Sequence, residues 1–398
     1  MKNIGTELRG AREIKTIRRI GISTGGGDCP GLNAVIRAVV RCARLVYQWD
    51  VIAIEDGFDG LIYARNLRSM NLKDVSGILH RGGTILGTTN RGNPFKSVVV
   101  ENGEEVIKDL TPQIIDNIET LGLDAIVCIG GDGTLTIARD LHKLGVQVVG
   151  VPKTIDNDLS ATDLTFGFTT AVDTATDALD KVHTTAESHH RAMVVEVMGR
   201  NAGWIALESG MAGGADVILI PEIPFDIKKV CNKVKQRQIT GRGFSVIVVA
   251  EGAKPVGGEA SIIADATKQY QNVRLGGMGI QVANAIQEMT GIETREVVLG
   301  HLQRGGSPNA YDRILSTRFG VAAVNLIAQG KFGEMVCLHG RMVESVKIDE
   351  AVGQLKLVDP NGQGVKTAES VGIEFGRPDA EDDSSSGASE STNMYGGA

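Results

Sequence analysis

The sequence predicts an α/β fold with two similar doubly wound lobes, each built on a mainly parallel sheet. Short apolar, β-branched runs alternate with helical patterns along the chain, which is typical of doubly wound folds. Several of these runs are apolar at nearly every position, as in strands that are buried on both faces. The length of 398 residues favours two domains over one, because single hydrophobic cores seldom grow that large.

The elements follow from these patterns in chain order. The predicted strands include 18–23 (RRIGIS), 50–56 (DVIAIED), 125–131 (AIVCIGG), 146–152 (VQVVGVP), 191–198 (RAMVVEVM), 216–221 (DVILIP) and 244–252 (FSVIVVAEG). Helical patterns such as NAVIRAVVRCARLVY and TPQIIDNIETLG fall between them. Residues 1–18 are polar and form a predicted N-terminal extension. Residues 376–398 are acidic and rich in serine and glycine, so we predict a disordered tail there.

Composition excludes several classes of function. The net charge of −7 does not favour binding to nucleic acids or anionic membranes. No run is apolar for long enough to span a bilayer, and the N-terminus has no signal-peptide core. The five cysteines are scattered without a C-x-x-C pair, which fits a reducing compartment, so we expect a cytoplasmic protein. Cys29 lies in a glycine loop, where we interpret it as a small packing residue rather than a nucleophile.

Two glycine-rich clusters follow predicted strands, at the carboxyl ends where doubly wound folds bind ligands. Gly25, Gly26 and Gly27 precede a helix, and such a turn offers backbone N–H groups and a helix N-terminus to an anion. The second cluster, IGGDGTL (129–135), places Asp132 where a carboxylate can bind Mg²⁺ beside phosphates. A tight structural turn and a helix cap are the respective alternatives.

The segment VPKTIDND (151–158) carries three polar side chains, Thr154, Asp156 and Asp158, at alternate positions. On an extended chain these side chains point to one face. When two carboxylates lie close together, their repulsion raises the proton affinity of one of them unless a cation lies nearby. One of the two can therefore serve as a base that faces an acceptor hydroxyl. An Asx-type turn is the structural alternative.

Basic residues cluster in two further segments. Arg191 and Arg200 flank the strand of SHHRAMVVEVMGR, and Arg295, His301 and Arg304 lie within ETREVVLGHLQRGG. Arginine suits forked contacts to phosphate, although single arginines and histidines are more often solvated or packed. Glu251, at the end of a strand in VVAEG, is placed to accept from sugar hydroxyls.

In this order, the segments GGDCPGLN, GGDGT, PKTIDND, MGR, AEG and GHLQRGG resemble those of the 6-phosphofructokinase family. The resemblance extends from about Arg19 to Gly376. It implies Mg²⁺-dependent phosphoryl transfer from ATP to the 1-hydroxyl of fructose 6-phosphate in glycolysis, in the cleft between two lobes. The lobes are expected over 19–167 plus about 303–353, for the donor and magnesium, and over 168–302 plus about 354–375, for the sugar phosphate.

The family's functional residues carry over where the motifs match. Catalytic roles fall to Asp156 as proton acceptor, Thr154 at the transferring phosphoryl group and Arg200 at the transition-state charge, and Asp132 matches the magnesium ligand. The residues that match the donor site are Gly26, Gly27, Arg91, Gly131, Asp132, Gly133 and Thr134. Those that match the sugar-phosphate site are Thr154, Ile155, Asp156, Arg191, Met198, Gly199, Arg200, Glu251, Arg295, His301, Leu302, Gln303 and Arg304.

Two positions bear on the phosphoryl donor and point in different directions. Gly133 leaves space for a nucleotide, as in members of the family that use ATP, whereas members that use pyrophosphate commonly carry aspartate there. Lys153 is the lysine usual in pyrophosphate users. We give Gly133 more weight and expect ATP, with a pyrophosphate-dependent fructose 6-phosphate 1-phosphotransferase as the alternative.

The resemblance also implies an allosteric enzyme that works as a homodimer or homotetramer, because in related bacterial enzymes two of the phosphate-binding arginines come from a neighbouring subunit. The segment between Glu251 and Arg295 is longer than in short bacterial members, so no effector site is carried over. Arg37, Arg41 and Arg44 form a helical stripe that we interpret as a solvated face, with an effector pocket as the alternative. More distant alternatives are a NAD kinase-like enzyme, which shares GGDGT, and a non-catalytic nucleotide-responsive homologue.

Overall fold

The structure is a computed structural model that describes residues 17–89, 93–101, 103–241, 243–264 and 274–379. Nearly all of the predicted N-terminal extension, and the tail from Ala380 onward, lie outside the described residues. The first residues of the predicted tail are packed on the body: the carbonyl of Gly376 accepts from the Asp226 N–H at 2.6 Å, and Arg377 bonds to Glu369 at 2.7 Å. The packed chain therefore extends beyond the boundary that composition predicts.

The strands are β1 (Arg19–Thr24), β2 (Asp50–Ile54), β3 (Leu67–Met70), β4 (Ser97–Glu101), β5 (Glu104–Lys108), β6 (Ala125–Gly130), β7 (Val148–Thr154), β8 (Phe166–Gly167), β9 (Ala192–Val197), β10 (Val217–Leu219), β11 (Ser245–Ala250), β12 (Ile262–Ala264), β13 (Arg274–Leu275), β14 (Thr294–Val298), β15 (Glu334–His339) and β16 (Met342–Lys347). The α-helices are α1 (Leu32–Leu45), α2 (Phe58–Tyr63), α3 (Thr111–Thr120), α4 (Asp132–Lys143), α5 (Phe168–His189), α6 (Trp204–Ala212), α7 (Ile227–Thr240), α8 (Met278–Thr290), α9 (Ala310–Ala328), α10 (Ile348–Ala351) and α11 (Gln363–Ser370). Short 3₁₀ helices span Pro94–Lys96 and Gly300–Arg304.

In the described part of the chain, the larger sheet has the strand order β16-β15-β7-β6-β1-β2-β3, and β8 pairs with the end of β7. The pairs between β15, β7, β6, β1 and β2 are parallel, whereas β16 and β3 join the edges antiparallel. The strands predicted at 18–23, 50–56, 125–131 and 146–152 are β1, β2, β6 and β7. The parallel order confirms the predicted α/β fold class.

A second sheet has the order β10-β11-β9-β14, and all of its pairs are parallel. Its strands β9, β10 and β11 match the predictions at 191–198, 216–221 and 244–252. The edge strand β14 was not predicted, because its sequence TREVV is mostly solvent-exposed and shows no apolar run. Two separate antiparallel hairpins, β4-β5 and β12-β13, complete the described strands.

The two sheets share one apolar core. The largest group of contacting buried side chains includes Ile20 and Val151 from the larger sheet, Val195 and Val248 from the smaller sheet, and the inward faces of α1, α5, α6 and α9. Helices α1 and α9 pack closely, since a methyl group added at Gly320 would lie 2.7 Å from Cβ of Ala38. This shared core places the carboxyl ends of both sets of parallel strands beside a common cleft.

The five cysteines are free thiols with buried side chains. Cys29 contacts the carbonyl of Phe166 at 3.7 Å, and burial raises the pKa of its thiol, which supports its interpretation as a packing residue. Within the described ranges, no helix combines the length and the apolar character that a membrane crossing would need.

Candidate active site

Strand order explains why three separate sequence clusters meet. Strands β1, β6 and β7 are adjacent and parallel, so the segments that follow them leave the same edge of the larger sheet. These segments are the glycine turn at 25–31, the start of α4 at Asp132, and the loop that continues from Thr154. On the smaller sheet, the neighbours β9, β11 and β14 likewise end beside Arg200, Glu251 and the 3₁₀ helix Gly300–Arg304.

The glycine turn is shaped by close contacts that a side chain would prevent. A methyl group added at Gly25 would lie 2.7 Å from Oγ1 of Thr134, and one added at Gly130 would lie 2.3 Å from its Cβ. The Thr134 side chain therefore fills the space that two glycines leave open. A methyl group at Gly27 would lie 2.6 Å from Nη1 of Arg304, so the guanidinium group rests against the backbone of the turn.

Lys153 lies beneath this turn. Its side chain is only 4% exposed, and its ammonium group donates to the carbonyl of Gly27. Burial lowers the pKa of Lys153, and the nearby carboxylate of Asp156 acts in the opposite direction. The residue that the sequence connected with pyrophosphate is thus tied to the glycine turn.

The loop after β7 carries the predicted base, but it is not extended as the alternation of polar residues suggested. The strand ends at Thr154, and Asn157 adopts a left-handed conformation with φ of 51°. The turn nevertheless keeps the polar groups together: Oγ1 of Thr154 accepts from the Asp156 N–H at 3.1 Å. The pKa of Asp158 is raised to about 6, mainly by burial and also by the carboxylates of Asp156 and Asp132.

The Asp156 carboxyl group lies between opposing electrostatic influences. Burial raises its pKa, whereas the cations of Arg304 and Lys153 lower it. Arg304 comes from the 3₁₀ helix after β14, so this interaction joins the two sheets across the cleft.

Asp132 begins α4 at the carboxyl end of β6. Gly131 occupies the capping position, and the Asp132 carboxylate accepts from the Gly353 N–H at 3.0 Å, so capping is not its role. Gly133 is exposed, and a methyl group added there would meet nothing within 4 Å. The space that the sequence predicted at Gly133 is therefore open.

Glu251 lies at the carboxyl end of β11, on the side of the cleft that the smaller sheet forms. Its backbone N–H donates to Val197 at 2.9 Å, which continues the pairing of β11 with β9. The next residue, Gly252, approaches the backbone of Arg200 so closely that an added methyl group would lie 2.0 Å from its carbonyl oxygen. The pKa of Glu251 is raised to about 7, mainly by burial and also by Asp156 and Glu196, whereas Arg304 and Arg200 act in the opposite direction.

Three of the predicted substrate contacts are buried residues. Gln303 is fully buried: its Oε1 accepts from the Met198 N–H at 3.3 Å and its Nε2 donates to Gly300 at 3.2 Å. The side chains of Ile155 and Met198 also belong to the core, with exposures of 0% and 8%. Their packing supports the neighbouring segments of the cleft, and their contact with a sugar stays a prediction.

The other residues of this set remain accessible. Leu302 is 69% exposed, and the side chain of His301 is exposed beside it. Met198 is followed by Gly199, whose φ of 141° turns the chain so that the exposed Arg200 reaches the cleft.

Arg191 and Arg295 lie at the opposite end of the smaller sheet. Arg191 precedes β9, and Arg295 is paired with Met193 near the start of that strand. Both guanidinium groups contact Oε1 of Glu293, at 3.0 and 2.7 Å. Since β9 has six residues, roughly 20 Å of strand separates this pair from the end where Arg200 lies. One chain does not bring all the predicted phosphate contacts together.

Two other predictions about arginines are affected by the structure. Arg91 lies outside the described residues. Arg44 is not simply solvated, because it bonds to Asp50 at 2.6 Å and to the carbonyl of Met70 at 3.0 Å. One of the three arginines of the helical stripe is therefore used in contacts within the fold, which weakens the interpretation of the stripe as an effector pocket.

A cleft of about 220 Å³ adjoins the glycine turn. Thr88 links the two, because its hydroxyl donates to the carbonyl of Gly26 at 2.5 Å. The cleft is lined by Glu55, Asp56, Asp59, Gly60, Arg65, Asn66, Thr88 and Thr89. Oxygen acceptors dominate this lining, so it can accept hydrogen bonds from hydroxyl and amino groups.

Sequence reasoning missed Lys356, whose ammonium group bonds to the loop that follows Asp156. No local pattern marks this lysine, because its partners lie almost 200 residues away in the chain. Asn157 was also missed, although an asparagine between two aspartates is a known signal for a left-handed turn residue.

Comparisons with known proteins agree with this geometry. The family model described as phosphofructokinase matches residues 19–327. The chain is 55% identical over 364 residues to "ATP-dependent 6-phosphofructokinase 2" of Clostridium perfringens, covering 91% of this chain and 99% of that protein. It is also 53% identical over 340 residues to "Pyrophosphate--fructose 6-phosphate 1-phosphotransferase" of Amycolatopsis mediterranei, covering 85% and 96%.

A solved structure shares the fold. The phosphofructokinase of Saccharomyces cerevisiae superposes with a TM-score of 0.71 at 32% identity, over 89% of this chain. The match covers 46% of the yeast chain, so this chain spans about half the length of that protein.

Proposed function

We propose that this chain, which belongs to the phosphofructokinase family, transfers the terminal phosphoryl group of ATP to the 1-hydroxyl of fructose 6-phosphate. The products are fructose 1,6-bisphosphate and ADP. The observation that carries the proposal is the convergence of Asp156, Arg304, Glu251 and Arg200 across the cleft between the two sheets, where Arg304 lowers the pKa values of both carboxyl groups and Arg200 lowers that of Glu251. The match over residues 19–327 favours this family over the NAD kinase-like alternative.

Asp156 is the group that we assign to the sugar hydroxyl. A carboxylate is too weak a base to deprotonate an alcohol beforehand, so it orients the hydroxyl and accepts its proton late in the transfer. That role requires an ionised carboxylate in a partly buried site. Arg304 and Lys153 supply this condition, since both oppose the effect of burial on the pKa of Asp156.

The donor phosphates fit the edge of the larger sheet. The glycine turn and the N-terminus of α4 present backbone N–H groups there, and phosphoryl transfer depends mainly on such positioning and charge neutralisation. Asp132 offers a hard oxygen ligand beside this edge, which fits Mg²⁺. When bound, Mg²⁺ would neutralise charge on the phosphate oxygens. We assign Arg200 to the charge that develops on the transferring group.

Open space at Gly133 supports ATP as the donor. ATP carries an α-phosphate and a nucleoside that pyrophosphate lacks, so it needs unobstructed room beyond Asp132. A methyl group added at Gly133 would meet nothing within 4 Å. The cleft of about 220 Å³ beside the glycine turn offers hydrogen-bond acceptors for ribose and base. Lys153, whose ammonium group is held by Gly27, does not obstruct this path.

Pyrophosphate remains the second candidate donor, because Lys153 is present and the relative from Amycolatopsis mediterranei carries a pyrophosphate-dependent name. The test is a comparison of both donors with fructose 6-phosphate and Mg²⁺, following fructose 1,6-bisphosphate. We expect kcat/KM to be at least about tenfold higher with ATP. Higher turnover with pyrophosphate would reverse the donor assignment, and no product with either donor would refute the proposed function.

We further propose that Arg191 and Arg295 complete the sugar-phosphate site of a neighbouring copy of this chain. Their position at the far end of β9 supports this arrangement, and Glu293 keeps the two guanidinium groups side by side. In such an oligomer His301 and Arg304 approach the 6-phosphate from the chain that holds Asp156.

Subunit complementation tests the shared site. Asp156→Ser and Arg295→Ala chains are each expected to be nearly inactive. After mixed reassembly, one type of site combines the intact Asp156 of one chain with the intact Arg295 of the other. Recovered activity is therefore expected, whereas no recovery in verified mixed oligomers would place both residues in sites of single chains.

We propose a cytoplasmic location on the basis of the five free, buried thiols, which suit a reducing compartment.

A further inference from the structure

We propose that Lys356 is a positioning residue for phosphoryl transfer, which holds the loop after Asp156 in its active conformation from the C-terminal part of the chain. The proposal rests on the proposed function, and it adds a residue that none of the family motifs quoted above contains. Lys356 lies in a segment, Gly353–Val358, that we call the strap.

The Lys356 ammonium group is fully engaged by one loop. It donates to Oδ1 of Asn157 at 3.0 Å and to the carbonyls of Thr162 and Asp163 at 2.9 and 2.8 Å. A protonated lysine has three N–H donors, so these three acceptors use all of them. The ammonium group thus joins the two ends of the loop from Asn157 to Asp163, and we call this set of three hydrogen bonds the clamp.

Asn157 forms the turn that the Lys356 ammonium group holds. Its φ of 51° lies in the left-handed region, which asparagine tolerates better than most residues other than glycine. Its side-chain oxygen accepts from the Thr165 N–H at 3.1 Å as well as from Lys356. Asn157 lies between Asp156 and Asp158, so its conformation sets the direction of both carboxylates.

The strap also contacts other parts of the donor side. The Gly353 N–H donates to the Asp132 carboxylate at 3.0 Å, and the Lys356 N–H donates to the carbonyl of Asp158 at 2.9 Å. Leu355 forms a β-bridge with Leu159. One short segment therefore contacts the predicted magnesium ligand and the catalytic loop together.

The other side of the strap is attached to the sugar side. Nε1 of Trp204, the first residue of α6, donates to the carbonyl of Lys356 at 2.8 Å. The Glu222 carboxylate accepts from the Val358 N–H at 2.8 Å and from the Gly203 N–H at 2.9 Å. Gly203 follows the turn that carries Arg200, so the strap connects the two halves of the proposed active site.

Charges around Lys356 favour its ionised form, and burial opposes it. Asp163 and Asp158 from the loop and Glu208 from α6 are the charged groups that influence it, and burial lowers its pKa to about 8. Below pH 8 the ammonium form supplies three donors. Above pH 8 the neutral amine has two, and one acceptor of the loop loses its partner.

The test compares Lys356→Met and Lys356→Arg with wild-type enzyme, and Lys366→Met is the matched control. Lys366 lies in α11, in the same C-terminal region, and its side chain is exposed. The kinetic readouts are kcat and both KM values from pH 6.5 to 9.5. Melting temperature and hydrogen exchange of the amides at 157–165 report on the fold and the loop without any turnover.

We expect Lys356→Met to lose about tenfold to a hundredfold in kcat, because a small displacement of a catalytic group has effects of that size. Both KM values should change less than about threefold, since the variant leaves the substrate contacts in place. Exchange at 157–165 should become faster in this variant only. Wild-type kcat should fall above pH 8, and Lys356→Arg should remove this decline because a guanidinium group stays charged.

Several results would overturn the proposal. A kcat within twofold of wild type in a folded Lys356→Met variant would do so, as would unchanged exchange at 157–165. If Lys356→Met does not fold, the arginine variant decides: an alkaline decline identical to that of wild type refutes the role. Absence of turnover in wild type would instead refute the proposed function, while the exchange data would still report on the clamp.

Discussion

Replacing Glu251 with glutamine should stabilise the fold at alkaline pH and weaken sugar binding. The pKa of Glu251 lies at about 7, against an ordinary value of 4.5. Burial is the main cause, and the nearby Asp156 and Glu196 carboxylates add to it. Because the folded state holds this proton more tightly than the unfolded state, the free energy of unfolding falls as pH rises from about 4.5 to 7.

The size of the effect follows from the two pKa values. A difference of one pH unit corresponds to about 1.4 kcal/mol, so the full difference would be roughly 3 kcal/mol. Solvent screens a side chain that is only partly buried, and we therefore expect about half of this value, roughly 1.5 kcal/mol. Glutamine resembles the protonated acid, so the variant should gain this amount at pH 8 and little at pH 5.

Thermal melting of both proteins at pH 5 and pH 8 measures the gain. For a chain of this size the expected rise in Tm at pH 8 is roughly 2–3 °C. Glu288→Gln, at an exposed position of α8, serves as the control and should show no such pH dependence. At pH 8, where Glu251 is ionised, the same variant should raise KM for fructose 6-phosphate about tenfold, because a charged acceptor is lost. Equal Tm differences at the two pH values would refute the electrostatic reasoning.

Two further predictions concern the donor side of the cleft. Asp156→Ser should lower kcat by about a hundredfold to ten-thousandfold, with a smaller change in KM for the sugar, because the proton acceptor is lost. Unchanged turnover in steady-state assays would remove Asp156 from this role. Gly133→Asp should lower kcat/KM for ATP by at least about tenfold, because a second carboxylate beside Asp132 would repel the donor phosphates. Its Tm should match that of wild type, because an added side chain has open space there; full ATP activity in this variant would contradict the donor assignment.

The fold could be predicted well from the sequence because its signals are local. Buried parallel strands such as β6 and β7 are apolar at almost every position, and composition alone identifies them. Clusters at the ends of these strands were also predictable, since adjacent parallel strands place their carboxyl ends together. The edge strand β14 was not predicted, because its exposed positions interrupt the apolar pattern.

Side-chain roles were harder to predict because they depend on contacts distant in sequence. Gln303 lies in the same motif as the predicted phosphate-binding residues His301 and Arg304. Its side-chain amide, however, is hydrogen-bonded to the backbone of Met198 and Gly300. The conformation of Asn157 ended the expected alternation after Thr154, and its side-chain oxygen accepts from Thr165 nearby and from the distant Lys356, which no local pattern marks. Spacing identifies the segments of the cleft, whereas burial decides which side chains of each segment face a ligand.

Placing several carboxylates in one partly buried cleft creates a physical problem that the two lysines help to solve. Burial raises the pKa values of Asp156, Asp158 and Glu251, so each would tend to take up a proton and lose its value as an acceptor. Direct ion pairs would keep them charged, but would occupy the oxygens that substrate and metal need. Lys153 and Lys356 instead donate to backbone carbonyls and one amide, and their charges remain within range of the carboxylates. Because the carbonyl of Gly27 fixes the Lys153 ammonium group in place, its charge, together with that of Arg304, lowers the pKa of Asp156 without occupying the carboxylate oxygens that have to receive the hydroxyl.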